Sequence, residues 1–270
     1  MVLTIALPRC VAFVPNIDPL RAALVLPTYN ERENLAAMVA AIQSLPTPIH
    51  IIVVDDNSPD GTGAIADDLA AQSSSVEVIH RSGKLGLGTA YAAGFDRAIT
   101  AGNDLILTMD ADFSHDPHYL PVILAASKRY DLVIGSRYVP GGGVREWPWH
   151  RQALSWGANT IAHLLLGLHA RDCTAGFRCY RRQVLEAVDP SSIRANGYSY
   201  LIEMLYCCER LGFTVGEVPI IFADRQLGQS KISQNEIFKA GKTVFRLAFR
   251  RLSARSRRMA ALLASGQPAR

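Results

Sequence analysis

No uninterrupted apolar run in the 270 residues reaches the 18 or so that a membrane-spanning helix needs. The greasiest stretch, Thr160–Leu168, is short and contains His163, so a soluble or surface-associated chain is expected. Cysteine is scarce. Cys10, Cys173, Cys179, Cys207 and Cys208 are odd in number and lack C-x-x-C spacing. That argues against a disulfide framework or a zinc site and for reduced thiols in a cytosolic protein. Apolar residues make up 49% and charged residues 19%, which excludes a disordered chain. No internal repeat or low-complexity block is present. Met1–Val14 is apolar but lacks a basic leader and is broken by Pro8 and Arg9, so a loose extension (1–20) is expected rather than a signal peptide.

Acidic residues are missing from 239–270, which holds nine basic ones. Residues 1–238 carry 19 basic against 24 acidic side chains, a net of −5 beneath the overall +4. A mildly acidic body with a strongly basic tail seeks phosphate, on nucleic acid or on an anionic membrane.

Between these ends the chain alternates short apolar runs with helical patterns. Strands are expected at Ala22–Leu26, Ile49–Val54, Val76–Ile79, Leu105–Met109 and Asp131–Gly135. Helices are expected at about 32–44, 62–71, 88–100 and 117–129, the last capped by Asp116 with Pro117 at its first position. This rhythm implies an α/β fold, a mostly parallel sheet with helices on both faces. After Ser136 it changes: a Gly/Trp loop (140–150), a helix from about Gln152, an irregular stretch Arg171–Arg182, a helix near Tyr200–Arg210, a strand near Thr214–Val218, a polar loop Ala223–Lys231 and a last helix from about Gln234.

In such sheets ligands bind beyond the carboxyl ends of the strands. Polar residues gather there: Thr28–Glu31, Asp55–Asp60, Asp110–Asp116, Ser136–Arg137. Asp110-Ala111-Asp112 directly follows an apolar strand, and two carboxylates one residue apart in a turn can share a hard cation such as Mg²⁺ with a diphosphate. His115 and His118 read as solvated or capping residues. In Asp55–Gly61, Asp60 reads as serving the turn and Asp56 as facing a ligand. Gly83–Gly88 fails the Walker pattern, since Leu85 follows Lys84, and the dinucleotide fingerprint, since Tyr91 stands where Gly is needed. It reads as a tight backbone at a helix start. Arg137, Arg151, Arg178, Arg225 and Lys231 sit in loops or at helix starts, where arginine forks suit phosphate.

Taken in order, Pro27–Glu31 (PTYNE), Asp55–Thr62 (DDNSPDGT), Gly86–Ala90 (GLGTA), Asp110–His115 (DADFSH), Gly135–Tyr138 (GSRY), Thr174–Arg178 (TAGFR), Tyr198–Met204 (YSYLIEM) and Asp224–Lys231 resemble family 2 glycosyltransferases, and among them the polyprenol-phosphate (dolichol-phosphate) mannosyltransferases. The resemblance covers Pro27 to Lys231. It implies a GT-A nucleotide-diphospho-sugar transferase fold over 21–232, Mg²⁺ or Mn²⁺, a GDP-mannose donor and a polyprenyl phosphate acceptor. By that resemblance Pro27, Tyr29, Glu31, Val54 and Asp56 hold the nucleoside. Asp110, Ala111 and Asp112 line the diphosphate, with Asp112 the main metal ligand and Ser114 at a position where some members place a Gln ligand. Arg225 and Lys231 clamp phosphates, and Arg137 and Arg151 receive the lipid phosphate. The candidate catalytic set is therefore Asp112, Arg137, Arg225 and Lys231.

An acceptor phosphate is anionic near neutral pH and needs no strong base. Backside displacement then inverts an α-linked donor to a β-linked product, with Asp56 or Asp110 as general base the lesser alternative. Two other readings stand beside this one: a lipid-phosphate transferase using UDP-glucose or another nucleotide sugar, and a phosphate-binding protein whose basic tail binds RNA. Against the last, no basic surface interleaved with aromatics is apparent, and no nucleic-acid partner is expected. Residues 233–270 read as a basic amphipathic helix and tail, with Ile237, Phe238, Gly241, Val244, Phe245, Ala248, Phe249 and Leu252 on one apolar face. A place on the cytoplasmic face of a membrane, through this helix or through an anchoring partner, is expected.

Overall fold

The computed structural model describes residues 20–223 and 239–252. Three strand–helix units and a fourth strand come first: β1 (Ala22–Thr28), α1 (Leu35–Gln43), β2 (His50–Asp55), α2 (Thr62–Gln72), β3 (Val76–His80), α3 (Leu87–Thr100) and β4 (Leu105–Thr108). Then follow α4 (Leu120–Ala126), β5 (Leu132–Ser136), β6 (Gly143–Val144), α5 (Trp149–Leu166), β7 (Arg178–Arg181), α6 (Arg182–Val188), α7 (Tyr198–Arg210), β8 (Val215–Pro219) and β9 (Ile221–Phe222). Residues 239–252 are helical.

Seven strands form one sheet in the order β3-β2-β1-β4-β7-β5-β8, and β6 pairs with β9 apart from it. All neighbours in the large sheet are parallel except β7, which runs antiparallel to both β4 and β5. The central strands read as continuous apolar runs because both faces are covered. Alternate side chains feed two cores. Ala23, Val25, Ile52 and Val54 pack under α3, α5 and α7, while Leu24, Leu26, Ile51 and Val53 pack under α1, α2 and α4. Helix α3 lies so close to β1 that a methyl at Gly94 would overlap Val25, which makes glycine obligatory there.

The expected strand and helix order holds through β5, with two differences. The helix after Pro117 is a 3₁₀ turn (Pro117–Tyr119) followed by α4, ending three residues sooner than expected; Asp116 caps the turn, accepting from the His118 N–H at 3.0 Å. The stretch read as irregular, Arg171–Arg182, contains β7 and runs into the first residue of α6. Four residues reading Arg-Cys-Tyr-Arg give no alternation to recognise, yet three of them are buried between β4 and β5. The described cysteines are all unpaired, and burial pushes the Cys173, Cys179 and Cys208 thiols up to about 12, so they are inert at neutral pH.

Candidate active site

The ends of β1, β2 and β4 turn on left-handed residues: Asn30 (φ 61°), Asn57 (φ 55°) and Phe113 (φ 59°). Asparagine tolerates that region, whereas phenylalanine there is strained, the kind of outlier that gathers at functional turns. Asp55 ties the first two turns together. It accepts from Thr28 Oγ1 at 3.0 Å, Ser58 N at 3.0 Å and Ser58 Oγ at 2.5 Å, and is buried. Asp60 accepts from Thr62 N at 3.0 Å and Thr62 Oγ1 at 2.6 Å, which makes it the turn residue that its sequence suggested. Burial works to raise its pKa, but these bonds and one from Arg32 hold it below the usual carboxylate value.

Asp56 lies beside them and meets Arg81, whose Nη1 donates to Asp56 Oδ1 at 2.5 Å. The other arm of Arg81 donates to Thr89 Oγ1 at 2.5 Å. Burial raises the Asp56 pKa despite Arg81. Lys84 Nζ stands 4.2 Å over the Tyr29 ring. Glu31 accepts from Asn34 Nδ2 at 2.9 Å, and Pro27 and Val54 are register partners across β1 and β2. Arg81 was not singled out from sequence, although it directly follows β3 and the strand-end rule would have found it. Gly86 (φ 102°) caps α3, as the glycine loop suggested.

Beyond β4, Asp112 is buried and its Oδ1 accepts from Ser114 N at 3.0 Å and Ser114 Oγ at 2.5 Å. Asp110 is more open. The Asp110 N–H donates to His115 Nδ1 at 3.2 Å. The sequence suggested a solvated or capping His115. Instead it is buried between Phe177 and Phe222, ring centroids 5.1 Å away on each side. Burial lowers its pKa to about 4, and its Nδ1 is an acceptor, so it is neutral. His118 is exposed beside Asp116, as expected. Among the described residues no three His, Cys, Asp or Glu side chains converge on a metal position. Two oxygen donors, one buried and fixed and one open to a cavity, fit Mg²⁺ or Mn²⁺, which take few protein carboxylates and fill the remaining positions with water and phosphate oxygens.

In the second half of the chain, Asp172 anchors Arg137. Arg137 forks onto it, with Nε to Oδ2 at 2.8 Å and Nη2 to Oδ1 at 2.7 Å, and Nη2 also donates to Thr174 Oγ1 at 2.8 Å. Asp172 is fully buried. Burial works to raise its pKa, but Arg137 and the hydrogen bonds hold it below the usual range. Arg137 also sits near the rings of Tyr138, Trp147 and Phe222, and Arg151 stacks 4.0 Å over Trp147. Arg178 differs from what its sequence context suggested. It is fully buried and donates to the carbonyls of Ala175 (2.8 Å), Leu201 (2.9 Å) and Cys173 (2.9 Å), so it braces the 173–177 turn against α7 and is no phosphate fork.

Asp110, His115, Arg137 and Arg151 line one cavity of about 550 Å³. Away from these polar groups it continues between α5 and residues 239–252, past Leu154, Ile161, Val244 and Phe245. Of the expected site residues, the structure brings Asp110, Arg137 and Arg151 together here, with Ala111, Asp112 and Ser114 buried in the adjoining turn. Pro27, Tyr29, Glu31, Val54 and Asp56 form a neighbouring group at the β1 and β2 ends. Arg225 and Lys231 lie outside the described residues. Asp172 and Trp147 were missed, since a lone Asp and a Trp in unpatterned stretches carry no spacing signal.

A mostly parallel sheet that gathers a D-x-D turn and a cation-lined cavity at its strand ends is the GT-A-like architecture of sugar transferases. Solved structures of glucosyl-3-phosphoglycerate synthase from Mycobacterium tuberculosis share the fold. The complex with Mn²⁺, UDP and glucosyl-3-phosphoglycerate superposes with a TM-score of 0.61 at 18% identity, over 85% of this chain and 80% of that one. The glycosyl transferase family 2 profile matches residues 23–189, and the chain belongs to that family. Among curated relatives, polyprenol monophosphomannose synthase of Mycolicibacterium smegmatis is 50% identical over 222 residues, 82% of this chain and 84% of the relative. Undecaprenyl-phosphate mannosyltransferase of Micrococcus luteus is 44% identical over 227 residues, 84% and 93% of the two chains. The resemblance drawn from the motifs is thus borne out.

Proposed function

We propose that the chain is a polyprenol-phosphate mannosyltransferase that moves mannose from GDP-mannose to a polyprenyl phosphate, inverting the anomeric centre to give polyprenyl β-mannosyl phosphate. The observation that carries this is one continuous cavity, with Asp110, Arg137 and Arg151 among its polar lining and an apolar continuation between two helices. Its two ends match the two halves of a lipid phosphate. The names of the mannosyltransferase relatives support the same acceptor class.

In this reading Pro27, Tyr29, Glu31, Val54 and Asp56 cradle the nucleoside, with Arg81 fixing Asp56. Asp110 and Asp112 would hold a divalent cation, which would help neutralise charge on the departing diphosphate. Arg225 and Lys231 are assigned to the same diphosphate. Arg151 and the edge of Arg137 hold the acceptor phosphate against its repulsion from the donor, and orient an oxygen behind the anomeric carbon. That oxygen is already anionic, so no residue removes a proton from it. Neutral His115 holds the Asp110 turn through its Nδ1. Residues 21–232 serve as the catalytic unit and 233–270 as its basic extension. No helix among the described residues is long and apolar enough to cross a membrane. We assign access to a bilayer-resident acceptor to peripheral attachment at a cytoplasmic membrane face, through 233–270 or an anchoring partner.

The test is a matrix of GDP-mannose and UDP-glucose against a short polyprenyl phosphate, with Mg²⁺, Mn²⁺ or chelator. A mannosyl lipid formed from GDP-mannose and abolished by chelator is expected. Product from UDP-glucose alone, or none under any metal, overturns the assignment.

A further inference from the structure

Four buried side-chain polar atoms among the described residues have no hydrogen-bond partner on the protein: the Tyr91, Ser199 and Tyr200 hydroxyls and the Trp147 indole nitrogen. Native proteins pair nearly all such groups, so each exception asks for a reason. For Tyr91 the surroundings supply one. It stands on α3, 1% exposed, its ring stacked on Phe95 with centroids 5.8 Å apart and tilted against Tyr200 at 6.0 Å. These two rings fix where the hydroxyl points.

It points at Gly176. A methyl on Gly176 would lie 3.3 Å from the Tyr91 hydroxyl, 3.7 Å from Asp110 Oδ1 and 3.8 Å from His115 Cε1. Gly176, Asp110 and His115 all line the cavity, so its wall at this spot is bare backbone with the phenol just behind. That backbone is held in place. Thr108 Oγ1 donates to the Gly176 carbonyl at 2.6 Å, the Gly135 N–H to the Phe177 carbonyl at 2.8 Å, and Arg178 Nε to the Ala175 carbonyl at 2.8 Å. The turn is thereby kept from collapsing onto the hydroxyl, and the glycine leaves a shallow notch.

The notch joins opposite hydrogen-bonding characters. Burial, and after it the Asp110 carboxylate, push the Tyr91 pKa well above the usual tyrosine value, so the phenol keeps its proton and can donate. Asp110, on the other side, accepts. A phosphate oxygen would meet the carboxylate with like charge, and an ammonium would meet a proton where it needs an acceptor. A neutral hydroxyl satisfies both sides, accepting from Tyr91 and donating to Asp110. Asp110 belongs to the turn assigned to the donor diphosphate, and Arg137 and Arg151 on the same cavity are assigned to the acceptor phosphate. What lies between two such phosphates is the transferred sugar, which carries hydroxyls all round.

We propose that Tyr91 is a specificity-determining residue of the donor site: its hydroxyl donates to one hydroxyl of the transferred sugar, which seats on the bare face of Gly176 beside Asp110. This deepens the mannosyl-transfer reading and rests on it. The unmade hydrogen bond destabilises the free protein and is completed only by the sugar. A site built for a hydroxyl rejects a sugar lacking it, because its own polar groups are then left unpaired.

Tyr91→Phe removes the hydroxyl and keeps the ring. Wild type and variant, both as full chains, are compared by kcat/KM on a short polyprenyl phosphate, with GDP-mannose and with a set of donors each lacking one hydroxyl of the sugar. Wild type should lose roughly tenfold or more on one of these deoxy donors. Tyr91→Phe should lose a similar factor on GDP-mannose and nothing further on that same deoxy donor, while its losses on the others stay additive. Its GDP affinity by calorimetry should match the wild type. Its unfolding temperature should equal or exceed that of the wild type, since an unpartnered polar atom leaves the interior. A merely structural tyrosine predicts the reverse, a lower unfolding temperature with unaltered discrimination among donors.

Equal kcat/KM for the two proteins on GDP-mannose, the result if Tyr91 only held a water, would overturn the subsite. So would a loss by Tyr91→Phe of the same factor on every donor. Either leaves the proposed function standing. A wild type that transfers no mannose counts against the proposed function instead, and calorimetry then decides the subsite. An affinity gain of GDP-mannose over GDP, or of UDP-glucose over UDP, that Tyr91→Phe lacks supports it. A gain equal in both proteins, or none in either, overturns it.

Discussion

Arg137 and Asp172 offer a test in which stability and catalysis separate. Their side chains are 8% and 0% exposed, and two parallel hydrogen bonds join them. Replacing Arg137 with Met leaves a fully buried carboxylate without its cation. Breaking a buried pair from one side costs about 3–5 kcal/mol. A protein of this size holds roughly 5–15 kcal/mol in total. At about 2–4 °C per kcal/mol the melting temperature should fall by roughly 10 °C.

The pH dependence has a definite sign. In the wild type the Asp172 carboxyl is held below its unfolded value, so its contribution is present above that value and lost as pH falls through the folded one. In Arg137→Met burial acts without its counterweight, and the folded pKa rises above the unfolded one. The variant then loses stability as pH rises, and its deficit against wild type widens between pH 5 and pH 8. Calorimetry at both pH values measures this. The double variant Arg137→Met/Asp172→Asn removes the stranded charge while keeping an acceptor for the Arg137 backbone N–H, 3.0 Å from Asp172 Oδ2 in the wild type. It should regain most of the stability and little of the transfer activity. A single variant within about 1 kcal/mol of wild type at both pH values would refute the reasoning.

Three shorter tests accompany it. Asp112→Asn should lower transfer by about 10²–10³-fold, the scale of losing one electrostatic contact in an active site, with circular dichroism unchanged. Arg151→Ala, at a less buried position, should raise the KM for polyprenyl phosphate about tenfold while GDP-mannose affinity by calorimetry stays constant, a loss the size of one charge-assisted hydrogen bond. Arg178→Met strands three buried carbonyls and should destabilise by about 3 kcal/mol or more, read as a shift in the urea midpoint.

The parallel half of the fold is legible because burial on both faces forces unbroken apolar strands, and polar residues then mark where each strand ends. Asp110 and Arg137 were found by that logic and Arg151 by its place at a helix start, and the three meet at one cavity. What stayed hidden depends on contacts between distant segments. Strand β7 is buried although half of it is arginine, because Arg178 finds its acceptors on backbone carbonyls and α7. Asp172 acquires meaning only when β5 brings Arg137 to it, 35 positions away in sequence. His115 looked like a turn residue because nothing local announces the two phenylalanines that enclose it. The exposed side of α5 was hidden for a simpler reason: its apolar residues are scattered among polar ones around the helix, so no stripe declares which side faces inward.

The reversal of β7 has a consequence for how such an enzyme diversifies. In a wholly parallel sheet only the segments that follow strands reach the working edge. Because β7 runs backwards, the segment that precedes it, 173–177, arrives there as well, with Asp172 and Thr174 beside Arg137. On the proposed reading the nucleotide side is furnished by the turns after β1, β2 and β4, and the opposite side by a separate length of chain, from the β5 end through α5 to β7. A substitution in that second length can then alter the proposed acceptor side without touching the turns assigned to the donor. On the proposed reading, acceptor and donor are thus served by separate lengths of chain, a division of labour set by the direction of one four-residue strand.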